Sequence, residues 1–290
     1  MTTAIETDGR AAGWLASRTL RYGVEFRRQL TRRRTKLALG FLALLPLLLA
    51  GAFKLNPGGG GPSRQNAYGS LVDLATGSAL NFTIFALFVS STFLLIVVVA
   101  LFCGDTIASE ASWGSLRYLL AVPVPRSRLL AVKLSVALSY CAIAVLLLAG
   151  SAMLCGWIFF GWHDLGTPLG GVLPAGTGFG RVLGVVGYLA VQLLPIAGLA
   201  FLLSVSTDAP LGAVGGAVLL QIIANILDAV TALGDLRNYL PGHYDTGWLG
   251  LLASPVQTED MIRGTISSLL YVTVFVALGW WRFLRKDVVS

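Results

Sequence analysis

Charge is what this sequence has least of. Only 12% of its 290 residues are Asp, Glu, Lys or Arg, while 56% are hydrophobic and the mean hydropathy is +0.77. A soluble domain carries about a quarter charged residues, so composition alone excludes an ordinary soluble protein. Thiol and metal chemistry are thinly provided too. Cys103, Cys141 and Cys155 stand in or beside apolar runs with no CxxC, which argues against a disulfide framework or a zinc site. Only two histidines occur, His163 and His243, and there is no HExxH. The chain also has no GxxxxGK[ST] and no Gly-Lys pair, so it lacks a phosphate loop for ATP. A formal net charge of +7 does not point to nucleic acid, because the basic residues gather at the two ends and in one internal stretch.

What is present is apolar length. Six stretches free of charge are long enough to cross a bilayer: about 37–53, 74–104, 134–162, 182–207, 209–227 and 264–281. Lipid offers the backbone no hydrogen-bond partner, so such stretches are helices and the expected class is all-α. Ser206-Thr207-Asp208-Ala209-Pro210 separates the fourth run from the fifth, and Pro210 reads as a helix restart.

Lys and Arg set the orientation. Nine lie before the first run, four between residues 105 and 133, and three after the last run. Only five, Lys54, Arg64, Arg181, Arg237 and Arg263, lie in the alternate loops. The positive-inside rule therefore places both termini and residues 105–133 in the cytoplasm, and an even number of spans requires the same. The organisation expected is a cytoplasmic N-terminus over 1–36, a membrane domain over 37–284 and a cytoplasmic tail over 285–290. Thr31-Arg-Arg-Arg34 before an apolar run ending near Ala50-Gly51-Ala52 imitates a twin-arginine signal, but five further spans follow it.

Upstream of the first span, Leu15, Tyr22, Phe26 and Leu30 recur at helical spacing among Arg18, Arg21, Arg27, Arg28 and Arg32. This predicts an amphipathic helix on the inner membrane surface, with its arginines toward anionic headgroups. On the other side, Asn56–Pro62 and 163–180 are glycine-rich connections. Residues 229–263 mix Trp248, Leu249, Leu251 and Leu252 with polar groups, a pattern for short re-entrant helices at the outer interface.

One polar interruption is more organised than the rest: SEASWGSLRYLLAVPVPR, residues 109–126. Ser115 follows Gly114 and suits an N-cap. Leu116, Leu119 and Leu120 make one apolar face, and Val122-Pro123 then ends the helix. A cytoplasmic helix of about two turns is predicted over 115–121. Local physics leaves open whether it acts as a lever or merely lies on the headgroups.

The run from Glu110 through Trp113, Gly114, Ser115, Leu116, Arg117, Leu119, Leu120 and Pro123 to Arg126 resembles the cytoplasmic loop of ABC-2 type transporter permeases, roughly E-x-x-x-G-T-L-R-x-L-L-x-x-P-[VI]-S-R. Ser115 and Pro125 depart from that pattern. Residues 201–216 and 281–288 are similar to the same family's fourth-to-fifth turn and C-terminal end. The resemblance implies a six-span permease with an N-terminal elbow helix, here around Tyr22, Phe26, Arg27, Arg28 and Leu30. It also implies a coupling helix that docks in a groove of a separate ABC ATP-binding subunit. Two such subunits, holding ATP and Mg, would serve two permeases, identical or paralogous, in a bacterial cytoplasmic membrane. An importer permease would show EAA, three residues, then Gly; here Gly114 follows Glu110-Ala111 too closely.

Polar groups inside spans are functional suspects. Gln221, Asn225 and Asp228 fall on one face of the fifth span. They would line a substrate path between protomers or simply hydrogen-bond between helices. Spans so poor in polar groups suit a hydrophobic or amphipathic substrate. The resulting expectation is an export permease with no catalytic residue, metal or cofactor of its own. The alternatives are an intramembrane enzyme, a passive channel or anchor, and an ABC-associated membrane protein that does not export. Orientation is directly testable. A membrane-impermeant maleimide should label a cysteine placed at Gly59 in intact cells, and one at Ser290 only after permeabilisation.

Overall fold

A computed structural model describes residues 20–55, 67–112, 125–168 and 171–285. The architecture is all-α apart from one minimal hairpin, in which β1 (Leu165–Gly166) pairs antiparallel with β2 (Val172–Leu173). The helices are α1 (Tyr22–Thr31), α2 (Arg33–Leu55), α3 (Ala67–Leu74), α4 (Ala79–Ser91), α5 (Leu94–Ser112), α6 (Arg126–Phe160), α7 (Ala175–Gln192), α8 (Leu194–Ser206), α9 (Pro210–Ala229) and α10 (Glu259–Arg285). Between α9 and α10 the chain winds through two 3-10 segments, Thr231–Tyr239 and Gly247–Leu252.

Among the described residues six helical segments are long and apolar enough to cross a membrane; five overlie runs read from sequence, while the sixth, Leu94–Ser112, overlaps only the end of the run at 74–104 and extends beyond it. Long faces of α9 and α10 expose Leu219, Ile226, Ile266 and Leu270. Such faces are untenable in water and ordinary in lipid. Helix α5 and the span formed by α7 and α8 are the most enclosed, with 72% and 61% of their apolar windows buried, against 11% for α10. The centre of the bundle is therefore α5 and α8, flanked by α9 and α10 on one side and by α6 on another.

Two spans are broken. The run at 74–104 is not one helix: α4 stops at Ser91 and α5 restarts at Leu94. The hydroxyls of Ser91 and Thr92 both donate to the Phe88 carbonyl, at 2.8 and 3.2 Å, offering that carbonyl an alternative to the helical ladder. In the fourth span α7 ends at Gln192 and α8 begins at Leu194, with Pro195 in its first turn. Pro195 has no N–H to continue the ladder. Pro210 likewise opens α9, as its position in the sequence predicts.

α1, the start of α6 and the end of α10 share one end of the bundle, where Arg126 Nη1 reaches the Leu284 carbonyl at 3.4 Å. We call this the α1 end. The far end carries the hairpin and the 3-10 segments. There Asn81 holds the hairpin, donating from Nδ2 to Gly166 O at 2.7 Å and accepting from Gly166 N at 3.0 Å.

α4 and α6 cross closely at Gly156, where an added Cβ would stand 2.9 Å from Ala79 Cα. Gly150, two turns earlier on α6, has open space beside it. One substitution should therefore have opposite signs at the two sites. Gly150→Ala should stabilise by about 0.5–1 kcal/mol, while Gly156→Ala should cost about 1–3 kcal/mol through overpacking, both read as thermal unfolding of the purified chain.

Candidate functional site

The α1 end holds a cluster of four cations and three carboxylates, Glu25, Arg28, Arg32, Arg34, Asp105, Glu110 and Lys133. Its origin is local. Glu25, Gln29 and Arg32 are spaced i, i+4, i+7, which presents them on one face of α1. Asp105 and Glu110 end an otherwise uncharged span, and Lys133 enters two turns into α6. Asp105 and Glu110 are five apart on α5, so they point in different directions and collect different partners.

Glu110 is fully buried. Its Oε1 accepts from Lys133 Nζ at 2.6 Å and from Arg28 Nη1 at 3.1 Å. Lys133, 3% exposed, also donates to Glu25 Oε1 at 3.0 Å. One ammonium thus joins α1, α5 and α6. Nearer the middle of α5, Asp105 receives Arg32 on one oxygen and Arg34 on the other, each at 2.8 Å. A water-sized space of about 10 Å³ remains between Glu25, Gln29, Arg32, Thr106 and Lys133. Burial alone would raise the Glu25 pKa, but Lys133, with Arg28 and Arg32, outweighs it and holds the carboxyl below its usual value of 4.5. Docking of α1 through Glu25 is therefore complete above about pH 4.5 and is lost as pH falls through the lowered value.

Aromatic and hydroxyl contacts complete the attachment. Phe26 stacks on Tyr140 of α6 at 4.7 Å, and Tyr140 donates its hydroxyl to Phe26 O at 2.7 Å. Tyr22 donates to Ser139 Oγ at 2.7 Å. On the other side of α5, Ser204 of α8 accepts from the backbone N–H groups of Ile107 and Ala108, each at 3.0 Å.

Several residues singled out by sequence meet here. Glu110 is not a loop residue but the buried end of α5. Arg28 and Arg32 pair with Glu110 and Asp105, Arg28 from a side chain still 41% exposed and Arg32 from one 17% exposed. Arg27 is exposed, and Tyr22 and Leu30 are 42% and 44% exposed. Arg126 caps the end of α10. Trp113, Gly114, Ser115, Leu116, Arg117, Leu119, Leu120 and Pro123 lie outside the described residues. Sequence reasoning gave no role to Glu25 or Asp105, and counted Lys133 only among the charges that set the orientation and as lying beyond the stretch that carries the resemblance. The available signal was that Asp105 and Glu110 are the only acids between Asp73 and Asp164, close to a surplus of arginine.

Gln221, Asn225 and Asp228 share a face at the far end, well away from this cluster. Gln221 Nε2 donates to Asn225 Oδ1 at 3.0 Å. Asp228 Oδ1 lies 2.5 Å from His243 Nδ1 and 3.7 Å from Arg237 Nε. The 3-10 segments fold back over the stripe, and Gly242, with φ +96°, fits against it. An added Cβ there would stand 2.9 Å from Gln221 Nε2 and 3.0 Å from Asn225 Oδ1.

The model of a family described as a protein of unknown function, DUF2705, matches residues 68–289. No curated protein matches the chain.

The ion cluster makes a sharp energetic statement. Glu110→Gln, or Lys133→Met, strands buried opposite charges and should destabilise the purified chain by about 3–5 kcal/mol. The Glu110→Gln/Lys133→Met double variant should lose clearly less than the two singles together, giving a coupling energy of about 1–3 kcal/mol in a double-mutant cycle.

Proposed function

The chain belongs to the DUF2705 family, and from its α1-end cluster and its likeness to ABC-2 permeases we propose that it is the membrane subunit of an ATP-driven exporter. In this reading the ATP and Mg belong to a separate ATP-binding subunit, two copies of which serve two permeases. The membrane is the bacterial cytoplasmic membrane, and the α1 end faces the cytoplasm.

The observation that carries the reading is where the Glu110–Lys133 pair stands. Residues 113–124, the stretch that resembles a coupling helix, run from the end of α5 to the start of α6. Glu110 precedes that stretch and Lys133 follows it, bonded to each other and to α1. A push on the connecting stretch is thereby delivered to two spans and to the N-terminal helix together, instead of being lost in a loose loop. α1 takes the part of an elbow helix, with exposed Tyr22, Arg27 and Leu30 available to headgroups or to the ATPase. The missing phosphate loop fits a divided machine in which energy comes from another chain. The cargo suited to these walls is hydrophobic or amphipathic, because the spans offer few polar groups and α9 and α10 are apolar on their open faces.

Co-purification tests this. A tagged chain expressed with its neighbouring genes should bring down an ABC ATPase. Leu116→Glu with Leu120→Glu should cut the recovered ATPase about tenfold or more, as loss of an interface hot spot does, with unchanged thermal unfolding of the permease. Isolation without an ATPase, or full retention by the variant, overturns the reading.

A further inference from the structure

A small cavity of about 20 Å³, lined by both polar and apolar side chains, lies where the two broken spans meet. Ser91, from the end of α4, and Gln192, from the end of α7, contribute to its wall. Gln221 enters from α9, and Asp245 enters from the far-end connection between the 3-10 segments. Ile96, Leu189, Leu193 and Ile196 supply the apolar half of the wall. Gln221 and Asp245 converge at Gly242, whose Cβ position is 2.9 Å from Gln221 Nε2 and 3.2 Å from Asp245 Oδ2.

One group in this wall is unfinished. Among the described residues no hydrogen bond or ion pair holds the Asp245 side chain, although His243 and Arg237 are close in sequence. Both of those lie against Asp228 instead. Gln192 is already engaged, accepting at Oε1 from Ser268 at 2.7 Å and standing with Nε2 beside the Tyr188 hydroxyl. The wall offers oxygens from Asp245, Gln221 and Ser91.

We propose that this cavity is a binding site for one small monovalent cation, sodium in size, whose occupancy holds the far-end segment down over the broken spans. Interrupted spans with exposed polar groups are where membrane proteins place such ions. The volume admits a single water-sized particle. One carboxylate matches one positive charge, whereas calcium sites need more oxygen ligands and usually several carboxylates. The same carboxylate can take a proton instead. Burial, and then the charge of Asp228, push Asp245 up to about 7. Around it stand Asp228 on α9, Tyr188 on α7, Asp260 on α10, and Tyr244, His243 and Arg237 on the connection itself. Because the folded value is raised above the ordinary 3.8, the docked segment is favoured at low pH. It loses that advantage as pH rises toward about 7, unless a cation takes the proton's place.

Hydrogen exchange of peptides spanning residues 240–252 tests the site on the full-length chain in detergent, without any ATPase, so its outcome is independent of the exporter reading. At pH 8 sodium chloride should slow exchange relative to N-methylglucamine chloride at equal ionic strength, by about tenfold at ten times the sodium dissociation constant. At pH 5.5 the two salts should differ little. Asp245→Asn should abolish the sodium effect, and Ser91→Ala, which leaves every charge in place, should weaken it. Equal exchange in the two salts at pH 8 for the wild-type chain, or a sodium effect that persists in Asp245→Asn, overturns the proposal.

Discussion

Lys133 is the residue on which the α1 end depends. A lysine 3% exposed inside an apolar bundle is sustainable only if its charge is answered at contact distance. It is answered twice, by Glu110 on α5 and by Glu25 on α1. Removing Lys133 leaves two buried carboxylates facing each other, and removing either carboxylate leaves the lysine with one partner instead of two. The arrangement therefore fixes geometry more than it adds stability: a hydrophobic triad could hold the same helices together but would allow them to slide. Asp105, gripped from both sides by Arg32 and Arg34, sets the register of the α1–α2 junction against α5 in the same way. Together they make the first turn of α2, the end of α5 and the start of α6 one mechanical unit.

The far end is built on a different principle. Its irregular connection is hung largely by side chains of the spans that bond to its main chain. Arg181 donates to Leu251 O at 2.7 Å, Tyr188 to Tyr244 O at 2.6 Å, and Tyr271 to Tyr239 O. Buried Trp248, packed near Phe88 of α4 at 6.0 Å, is its principal apolar anchor. Bonds to main-chain carbonyls do not depend on which side chains the segment carries. The segment is thus free to vary in sequence where it faces outward, while Gly242, Asp245 and Trp248 are constrained from within.

The sequence made the bundle legible because lipid imposes long uncharged runs, and five of the six long apolar helices overlie the runs, with the helix at Leu94–Ser112 displaced toward the polar end of its run. It hid the two breaks. Hydropathy does not register that Ser91 and Thr92 can turn their hydroxyls back onto Phe88 O, and Pro195 inside an apolar run reads equally as a kink or a restart. Glu110 was legible as important but not as buried, since a glutamate beside a loop is normally solvated. Its partner Glu25 is one acid in a basic helix, far away in the chain, and spacing cannot connect the two. The Gln221–Asn225–Asp228 face was legible from helical periodicity. Asp245 was not, because the connection that delivers it has no period to read.

The separation of Glu25 from Lys133, 108 positions along the chain, has a consequence for how the protein is made. Ribosomes add about 5–20 residues per second, so the N-terminal helix waits on the order of 5–20 seconds for its lysine to emerge. During that interval its arginines outnumber its one carboxylate, Glu25. Arrival of α5 brings Asp105 and Glu110 to the arginines, and arrival of α6 brings the lysine that Glu25 and Glu110 share. The attachment of α1 is therefore completed only when the third long helix has been made.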